Sequence, residues 1–165
     1  MIPPKAVSDA MCYLQAVINH DGPAWAAMAL SDSGLLKIIA SEETLKEVVD
    51  ILSRPNLVEK FPSLIERRGL FLTVIRTVAE VRPDPPKVVS LPRDPKDEPY
   101  LNLAVVSGAA YLVTRDKDTL DLIGDPDFTA RYPGLRILGP VELLRDLAPP
   151  ISSPEERPRE LSVEP

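Results

Sequence analysis

The chain has 165 residues, of which 44% are hydrophobic and 27% are charged, and its formal net charge is −6 at pH 7. This composition predicts one soluble globular domain, and the negative charge argues against a protein that coats nucleic acid, because neutralising phosphates needs clustered Lys and Arg. The single cysteine, Cys12, excludes an internal disulfide, and no Cys/His spacing suited to zinc is present. No run approaches 18 apolar residues, so we expect no membrane span and a cytoplasmic location.

The first elements are a short strand at residues 5–8 and a helix from Ala10 to Ile18. Asp9 stands at the turn between them. It is either only the N-cap of the helix or an acid at the carboxyl edge of a sheet, and the local sequence leaves both interpretations open.

The middle of the chain repeats the alternation of helix and strand. Ser41 caps a helix whose apolar positions follow a 3.6-residue spacing, and Glu47 lies on its opposite, polar side. By itself Glu47 is a solvated glutamate, and it becomes a ligand only if a cleft follows that side. The other predicted elements here are a helix at 23–30, a strand at 35–40, a helix at 62–80, a loop at 81–86 and a brief strand at 88–89.

The most informative stretch begins with a helix that Asp97 opens and Gly108 ends. Residues 109–114 are short, β-prone and continuously apolar, which is typical of a strand buried on both faces of a parallel sheet. Asp116 and Asp118 follow that strand directly. Because ligands of open α/β sheets bind at the carboxyl ends of the strands, these acids indicate a cation site.

The remaining segments complete the domain. They are predicted as a short helix at 119–123, a turn at 125–127, a strand at 136–138, a helix at 140–147 and a Pro- and Glu-rich tail at 149–165. The tail has too few apolar residues to offset the entropy cost of ordering, so we expect a domain at 1–148 and a disordered tail.

Five strands that alternate with helices predict an α/β fold, with a mostly parallel central sheet and helices on both faces. Carboxylates fall at or beside the predicted strand ends, and oxygen ligands are what Mg²⁺ and Mn²⁺ prefer. Without a cation such acids would repel one another, so at least one should have a raised pKa. The candidate ligands are Asp9, Glu47, Asp97, Asp116 and Asp118.

These features resemble the PIN-domain ribonucleases, in particular the group described as toxins of toxin–antitoxin pairs. The resemblance covers roughly residues 5–147 and is most specific in DPKDEPYLNLAVVSGAAYLVTRDKDTL. That segment matches an aspartate before a helix, Ala and Gly at its end, an apolar strand, and then Thr-x-Asp-x-Asp. Asp9 after the first strand and Glu47 within SEETLKEVVDILSRP support it.

The resemblance implies a PIN-like three-layer sandwich and a metal-dependent endoribonuclease. Its catalytic and metal-binding residues would be Asp9, Glu47, Asp97 and Asp116, with Asp118 and Thr114 as supporting or alternate ligands. The implied chemistry is in-line attack of metal-activated water on an RNA phosphodiester, with Mg²⁺ or Mn²⁺ as cofactor. RNA, an antitoxin protein and a second copy of the chain are the implied partners.

One departure from the family pattern leads to an alternative function. The family usually has Asp-Thr-Asn after the first strand, whereas this chain has Asp9, Ala10 and Met11. Lost partners of metal ligands commonly cost tenfold to a hundredfold in affinity or activity. A catalytically impaired domain that acts as a binding or regulatory module is therefore the second hypothesis. A receiver-like or hydrolase domain that uses an aspartyl phosphate is a third, but the Asp-x-Asp-x-Thr that the hydrolase needs after strand one is absent.

Basic residues flank the acids, and two interpretations of them stand side by side. Arg93, Arg115 and Lys117, together with Lys96, can form a rim that contacts RNA phosphates around the site. Alternatively they neutralise neighbouring aspartates as solvated pairs of little energetic consequence, which is the commoner role of such residues.

Overall fold

The computed structural model describes residues 1–147, and a five-stranded sheet lies at the centre of this region. The strands are β1 (Lys5–Ser8), β2 (Lys37–Ser41), β3 (Glu80–Arg82), β4 (Tyr111–Val113) and β5 (Arg136–Leu138). The helices are α1 (Ala10–Ile18), α2 (Pro23–Ala29), α3 (Glu42–Leu52), α4 (Pro55–Lys60), α5 (Leu64–Val78), α6 (Glu98–Ser107), α7 (Lys117–Leu120), α8 (Pro126–Arg131) and α9 (Pro140–Leu147), with a 3₁₀ turn at Asp121–Gly124.

The sheet has the order β3-β2-β1-β4-β5, and each neighbouring pair of strands is parallel. From the central β1 the chain first adds β2 and β3 on one side and later adds β4 and β5 on the other. The order therefore reverses between β1 and β4, and the crevice outside the carboxyl ends of these two strands is where open α/β sheets bind ligands. The α/β prediction is confirmed.

Two apolar cores fill the space above and below the sheet. Successive strand residues point to opposite faces, so Val7 and Leu112 join one core whereas Ala6 and Val113 join the other. The larger core packs against α1, α3, α5 and α6, and the smaller one packs against α2 and α9. This arrangement is the predicted three-layer sandwich, and it explains why the buried positions of the central strands are apolar on both faces.

Local sequence signals fix the ends of the helices that matter for the site. Ser41 forms a capping box with Thr44 at the start of α3. At the end of α6, Gly108 adopts the left-handed conformation with φ of 65°, which glycine tolerates without a steric penalty. The chain thereby reverses after α6 and enters β4 directly.

The third strand was predicted at the wrong place. Strand β3 pairs with β2 through Glu80–Arg82, within a segment predicted as a helix end and a loop. The predicted strand residues Val88 and Val89 instead donate their amides to Oδ1 of Asn102, both at 2.7 Å, and Nδ2 of Asn102 donates to the Val89 carbonyl at 3.0 Å. A buried side-chain amide on α6 thus satisfies the backbone groups that a neighbouring strand would have satisfied.

The turn predicted at 125–127 is also wrong, because a helix begins there. The Asp125 carboxylate accepts hydrogen bonds from the amides of Asp127 and Phe128, and Pro126 occupies the first helical position of α8. Asp followed by Pro is a common turn signal, but the same pair is a favourable start for a helix. Phe128 then anchors α8 in the larger core.

Two further predictions concern membranes and the tail. Among residues 1–147, no helix is both long enough and apolar enough to cross a membrane. The predicted domain boundary at 148 and the predicted tail at 149–165 lie outside the described residues.

Candidate metal centre

Asp9 connects the first strand to the first helix and is only 3% exposed. Its Oδ1 accepts the Cys12 amide at 2.8 Å, which caps α1, and its Oδ2 accepts the Thr114 hydroxyl at 2.5 Å. Burial raises the pKa of the Asp9 carboxyl, although both hydrogen bonds oppose that shift. One oxygen therefore caps α1, and the other lies at the carboxyl edge of the sheet, where it meets Thr114, but Asp9 is not among the clustered acids described below.

Thr114 ties together the ends of the two central strands. Its hydroxyl donates to Asp9 and accepts a hydrogen bond from the Asp116 amide at 3.0 Å. The residue is 1% exposed, and its own amide donates to Leu138 on the neighbouring strand. The resembled family pattern has a threonine hydroxyl at position 10, where this chain has alanine. The Thr114 hydroxyl contacts Asp9 from the neighbouring strand instead.

Three carboxylates meet beside this threonine. Asp94, Asp97 and Asp116 each offer one oxygen, and these oxygens all lie within 4.8 Å of one another. The Thr119 hydroxyl lies between two of the acids, 3.0 Å from Oδ2 of Asp116 and 3.4 Å from Oδ2 of Asp97. The cluster lies at the carboxyl end of β4, beside the point where the strand order reverses.

The pKa of the Asp97 carboxyl is raised in this crowded site. Burial raises the pKa of its carboxyl to about 7, and the charges of Asp9, Asp94 and Asp116 contribute to the same shift. A carboxylic acid that titrates near neutrality is expected where several acids share one site without a cation to neutralise them.

The raised pKa of Asp97 predicts how the stability of the metal-free protein depends on pH. Between 3.8, the unperturbed pKa, and about 7, the folded protein holds a proton that the unfolded chain has lost. Stability should therefore fall as the pH rises through this window. Asp97→Asn should remove that part of the fall, which we put at about 1 kcal/mol, or roughly 3 °C in Tm, because the group is partly exposed to solvent. Thermal melts in EDTA between pH 4 and 8 measure it.

The matched control is Asp32→Asn, which changes an exposed aspartate that is absent from the cluster. Its melting curve should follow the wild-type slope across the window. Parallel wild-type and Asp97→Asn slopes would show that Asp97 does not hold a proton near neutrality.

Glu47 lies outside the three-acid cluster, half-buried on α3. Its nearest link to the site is Tyr100 on α6. Burial raises the pKa of the Tyr100 phenol, and the neighbouring Glu47 carboxylate raises it further. The Tyr100 hydroxyl approaches the Glu47 carboxylate without the geometry of a full hydrogen bond, and within residues 1–147 neither this hydroxyl nor that of Tyr13 has a hydrogen-bond partner, although both are buried. Buried unpaired phenols beside Asp9 and Glu47 leave hydrogen-bonding capacity for bound water.

The predicted basic residues divide into two kinds. The guanidinium of Arg93 lies 3.3 Å from the Asp118 carboxylate and 3.5 Å from that of Asp121, so Asp118 faces an arginine and is not among the clustered acids. Arg115 and Lys117 are exposed and form no ion pair with any other residue between 1 and 147. These two side chains remain free to meet a ligand at the rim of the site.

The structure brings together residues that the sequence had not linked. Asp94 was not predicted as a ligand, yet it is one of the three clustered acids. It lies three positions before Asp97, and the Asp97 amide donates to its carbonyl at 3.2 Å, so one turn of backbone carries both. The paired aspartates of Asp-Pro-Lys-Asp were the signal that could have revealed it. Thr119, Tyr13 and Tyr100 were missed as well.

A family model described as PIN domain matches residues 5–118, more than half of the chain. The chain belongs to the PIN-domain family. The PIN domain is generally a nuclease fold, and PIN nucleases use divalent metals. A comparison with curated proteins finds no match.

This PIN domain is also similar to the protein titled "Crystal structure of PAE2754 from Pyrobaculum aerophilum". The two share 20% sequence identity with a TM-score of 0.47, over 88% of this chain and 90% of the other.

The side chains of this PIN domain fit a hard divalent cation. Three carboxylate oxygens lie close enough together to share one ion, and Mg²⁺ and Mn²⁺ take oxygen ligands. The raised pKa of Asp97 points the same way, because a cation would remove the repulsion that causes part of it.

Proposed function

We propose that this PIN domain is a metal-dependent endoribonuclease that hydrolyses RNA phosphodiesters, acting as the toxin of a toxin–antitoxin pair. The observation that carries the proposal is the convergence of Asp94, Asp97 and Asp116 within 4.8 Å at the carboxyl end of the sheet. Asp9 lies close enough to this cluster for its charge to act on Asp97. The choice of RNA and of an antitoxin partner rests on the family resemblance of the sequence.

In this proposal the three clustered aspartates hold Mg²⁺ or Mn²⁺. The bound ion supplies an activated water and stabilises negative charge on the leaving oxygen. Asp97 gives up its proton when the site is loaded, so metal affinity should weaken as the pH falls below about 7. Thr114 and Thr119 hold the carboxylates of Asp9 and Asp116 in place through hydroxyl hydrogen bonds.

The alternative is an impaired PIN domain that binds without cleaving, and the residues after Asp9 motivate it. Ala10 is buried and its side chain has no hydroxyl, and Met11 is half exposed and its side chain has no amide group. Thr114 counters that argument, because it already donates a hydroxyl to Asp9 from the neighbouring strand. We therefore favour the active enzyme.

Metal binding and RNA cleavage, measured on the same preparation, test the proposal. Calorimetry with Mn²⁺ on EDTA-stripped protein should reveal a site, and labelled single-stranded RNA should be cut only when metal is added. DNA of the same sequence is the matched substrate and should be cut less. Metal binding without cleavage would favour the impaired module, and the absence of metal binding would overturn the assignment of the centre.

A further inference from the structure

A groove of about 500 Å³ runs along the carboxyl edge of the sheet, next to the acid cluster. It lies between the 3₁₀ turn after α7 and the start of α9, above the ends of β4 and β5. Thr114 lies at one side of it, and the clustered Asp116 follows two residues later. None of the three clustered acids lines the groove, but Thr114, which binds the Asp116 amide, links the groove to the candidate metal centre. Its other lining residues include Arg115, Leu120, Ile123, Leu138, Val141 and Glu142.

The walls of the groove are mainly apolar, and part of that apolar surface faces solvent. Ile123 and Val141 are 55% and 38% exposed, although both are large aliphatic side chains. Leu120 and the buried Leu138 continue the apolar surface inward. Exposed aliphatic groups that line one groove mark a surface that gains free energy when a flat apolar ligand covers it.

Two charged side chains line the otherwise apolar groove and would orient a bound ligand. Arg115 lines the groove next to Thr114, and it has no ion-pair partner within residues 1–147, so its charge is free to meet a phosphate. Glu142 lines the groove from the first turn of α9. Its Oε2 would be 2.6 Å from a Cβ placed on Gly139, so the carboxylate lies over this glycine, in space that has no side chain. A cation near the centre and an acceptor on α9 match a nucleotide with its phosphate at one end and its base-edge N–H donors at the other.

We propose that this groove binds the base of the nucleotide next to the scissile phosphate. The proposal rests on the ribonuclease function above and adds a base-binding subsite to it. The base lies against Ile123 and Val141, Arg115 contacts the adjoining phosphate, and Glu142 accepts hydrogen bonds from N–H groups on the base edge. The groove volume exceeds that of a base and leaves room for its sugar.

The test compares groove variants with a matched pair elsewhere on the surface. Ile123→Ser combined with Val141→Ser, called the groove pair below, removes the apolar walls. Ile65→Ser combined with Val74→Ser, called the α5 pair below, makes the same chemical change on α5, where the two wild-type side chains are 53% and 38% exposed. Binding is measured by fluorescence anisotropy in the Asp116→Asn background, so that the RNA stays intact. The two ligands are a short single-stranded RNA and an oligomer of the same length in which every nucleotide is abasic.

The groove pair should weaken RNA binding by about tenfold, because the apolar surface that the base would cover is lost. It should leave binding of the abasic oligomer unchanged and, with Asp116 restored, the affinity for Mn²⁺ unchanged, whereas Arg115→Gln should weaken both oligomers. The α5 pair should bind like the parent. Equal affinity of the groove pair and the parent for RNA would overturn the subsite.

The same measurements distinguish a base-binding subsite from a dimer interface, and a failed subsite from a failed nuclease function. If the parent is a dimer and the groove pair is a monomer by light scattering, the groove is an interface between copies and the proposal is wrong. If the base-dependent loss is observed but the wild-type protein cleaves no RNA, the subsite stands and the nuclease function fails. If the wild-type protein cleaves RNA and the groove pair loses no affinity, only the subsite fails.

Discussion

Asp116→Asn is expected to lower Mn²⁺-dependent RNA cleavage by at least about a hundredfold, the upper range found when even indirect partners of a metal are lost. The same change should raise the Tm of the metal-free protein at pH 8 by roughly 1 °C, less than Asp97→Asn does, because it removes one of the like charges acting on Asp97 and leaves burial and the other two charges in place. Asn is as good a helix N-cap as Asp, so the cap of α7 should survive. Gel-based cleavage assays and thermal melts in EDTA measure the two effects.

Asp125→Asn is the matched control for this change. Asp125 is the N-cap of α8 and is absent from the acid cluster, so its replacement makes the same chemical change at the same kind of position. Cleavage and metal-free stability should stay close to wild type. Equal losses of activity in the two variants, or an unchanged metal-free Tm for Asp116→Asn, would contradict a crowded acidic centre at Asp116.

Thr114→Val is expected to damage both stability and activity without changing the size of the side chain. It leaves Oδ2 of the buried Asp9 and the amide of Asp116 without their hydroxyl partner. Losing a buried hydrogen bond to a charged group costs about 2 kcal/mol, which corresponds to roughly 6 °C in Tm for a domain of this size. Cleavage should fall by about tenfold or more, because the acids are no longer held in place.

Thr114→Ser separates the hydroxyl from the methyl group. It keeps the donor and acceptor oxygen, so it should recover most of the lost cleavage while retaining a small loss of stability from the missing methyl. If Ser and Val at position 114 impair cleavage equally, packing and not hydrogen bonding explains the effect. Activity at saturating Mn²⁺ shows whether the defect lies in metal affinity.

The sequence predicted the site best where the signal was local. Asp97 before a helix and Asp116 after an apolar strand can be recognised because parallel strands bring their carboxyl ends to one edge. Asp94 could not be ranked in the same way, because whether a loop aspartate points into a site depends on the turn that carries it. The unpaired phenols of Tyr13 and Tyr100 could not be foreseen either, since helical spacing marks them only as core residues.

The fold was predictable in class and less so in its details. The alternation of strand and helix and the continuously apolar segment at 109–114 indicated the layers, and Gly108 indicated the end of α6. The position of β3 was missed because it depends on pairing with β2. Val88 and Val89 were wrongly taken for a strand because the Asn102 side chain on α6 supplies their hydrogen bonds. Contacts of this kind come from tertiary structure, which a local pattern does not contain.

The hydrogen bond from Thr114 to Asp9 spans 105 positions, and this separation has a consequence during translation. The ribosome releases β1 well before its partner β4 and the last clustered acid, Asp116. Domains complete their folding once all of their elements are available. Under the proposed function, a nascent chain that has not yet reached Asp116 lacks an assembled centre, so ribosomal RNA beside it is not exposed to an active nuclease.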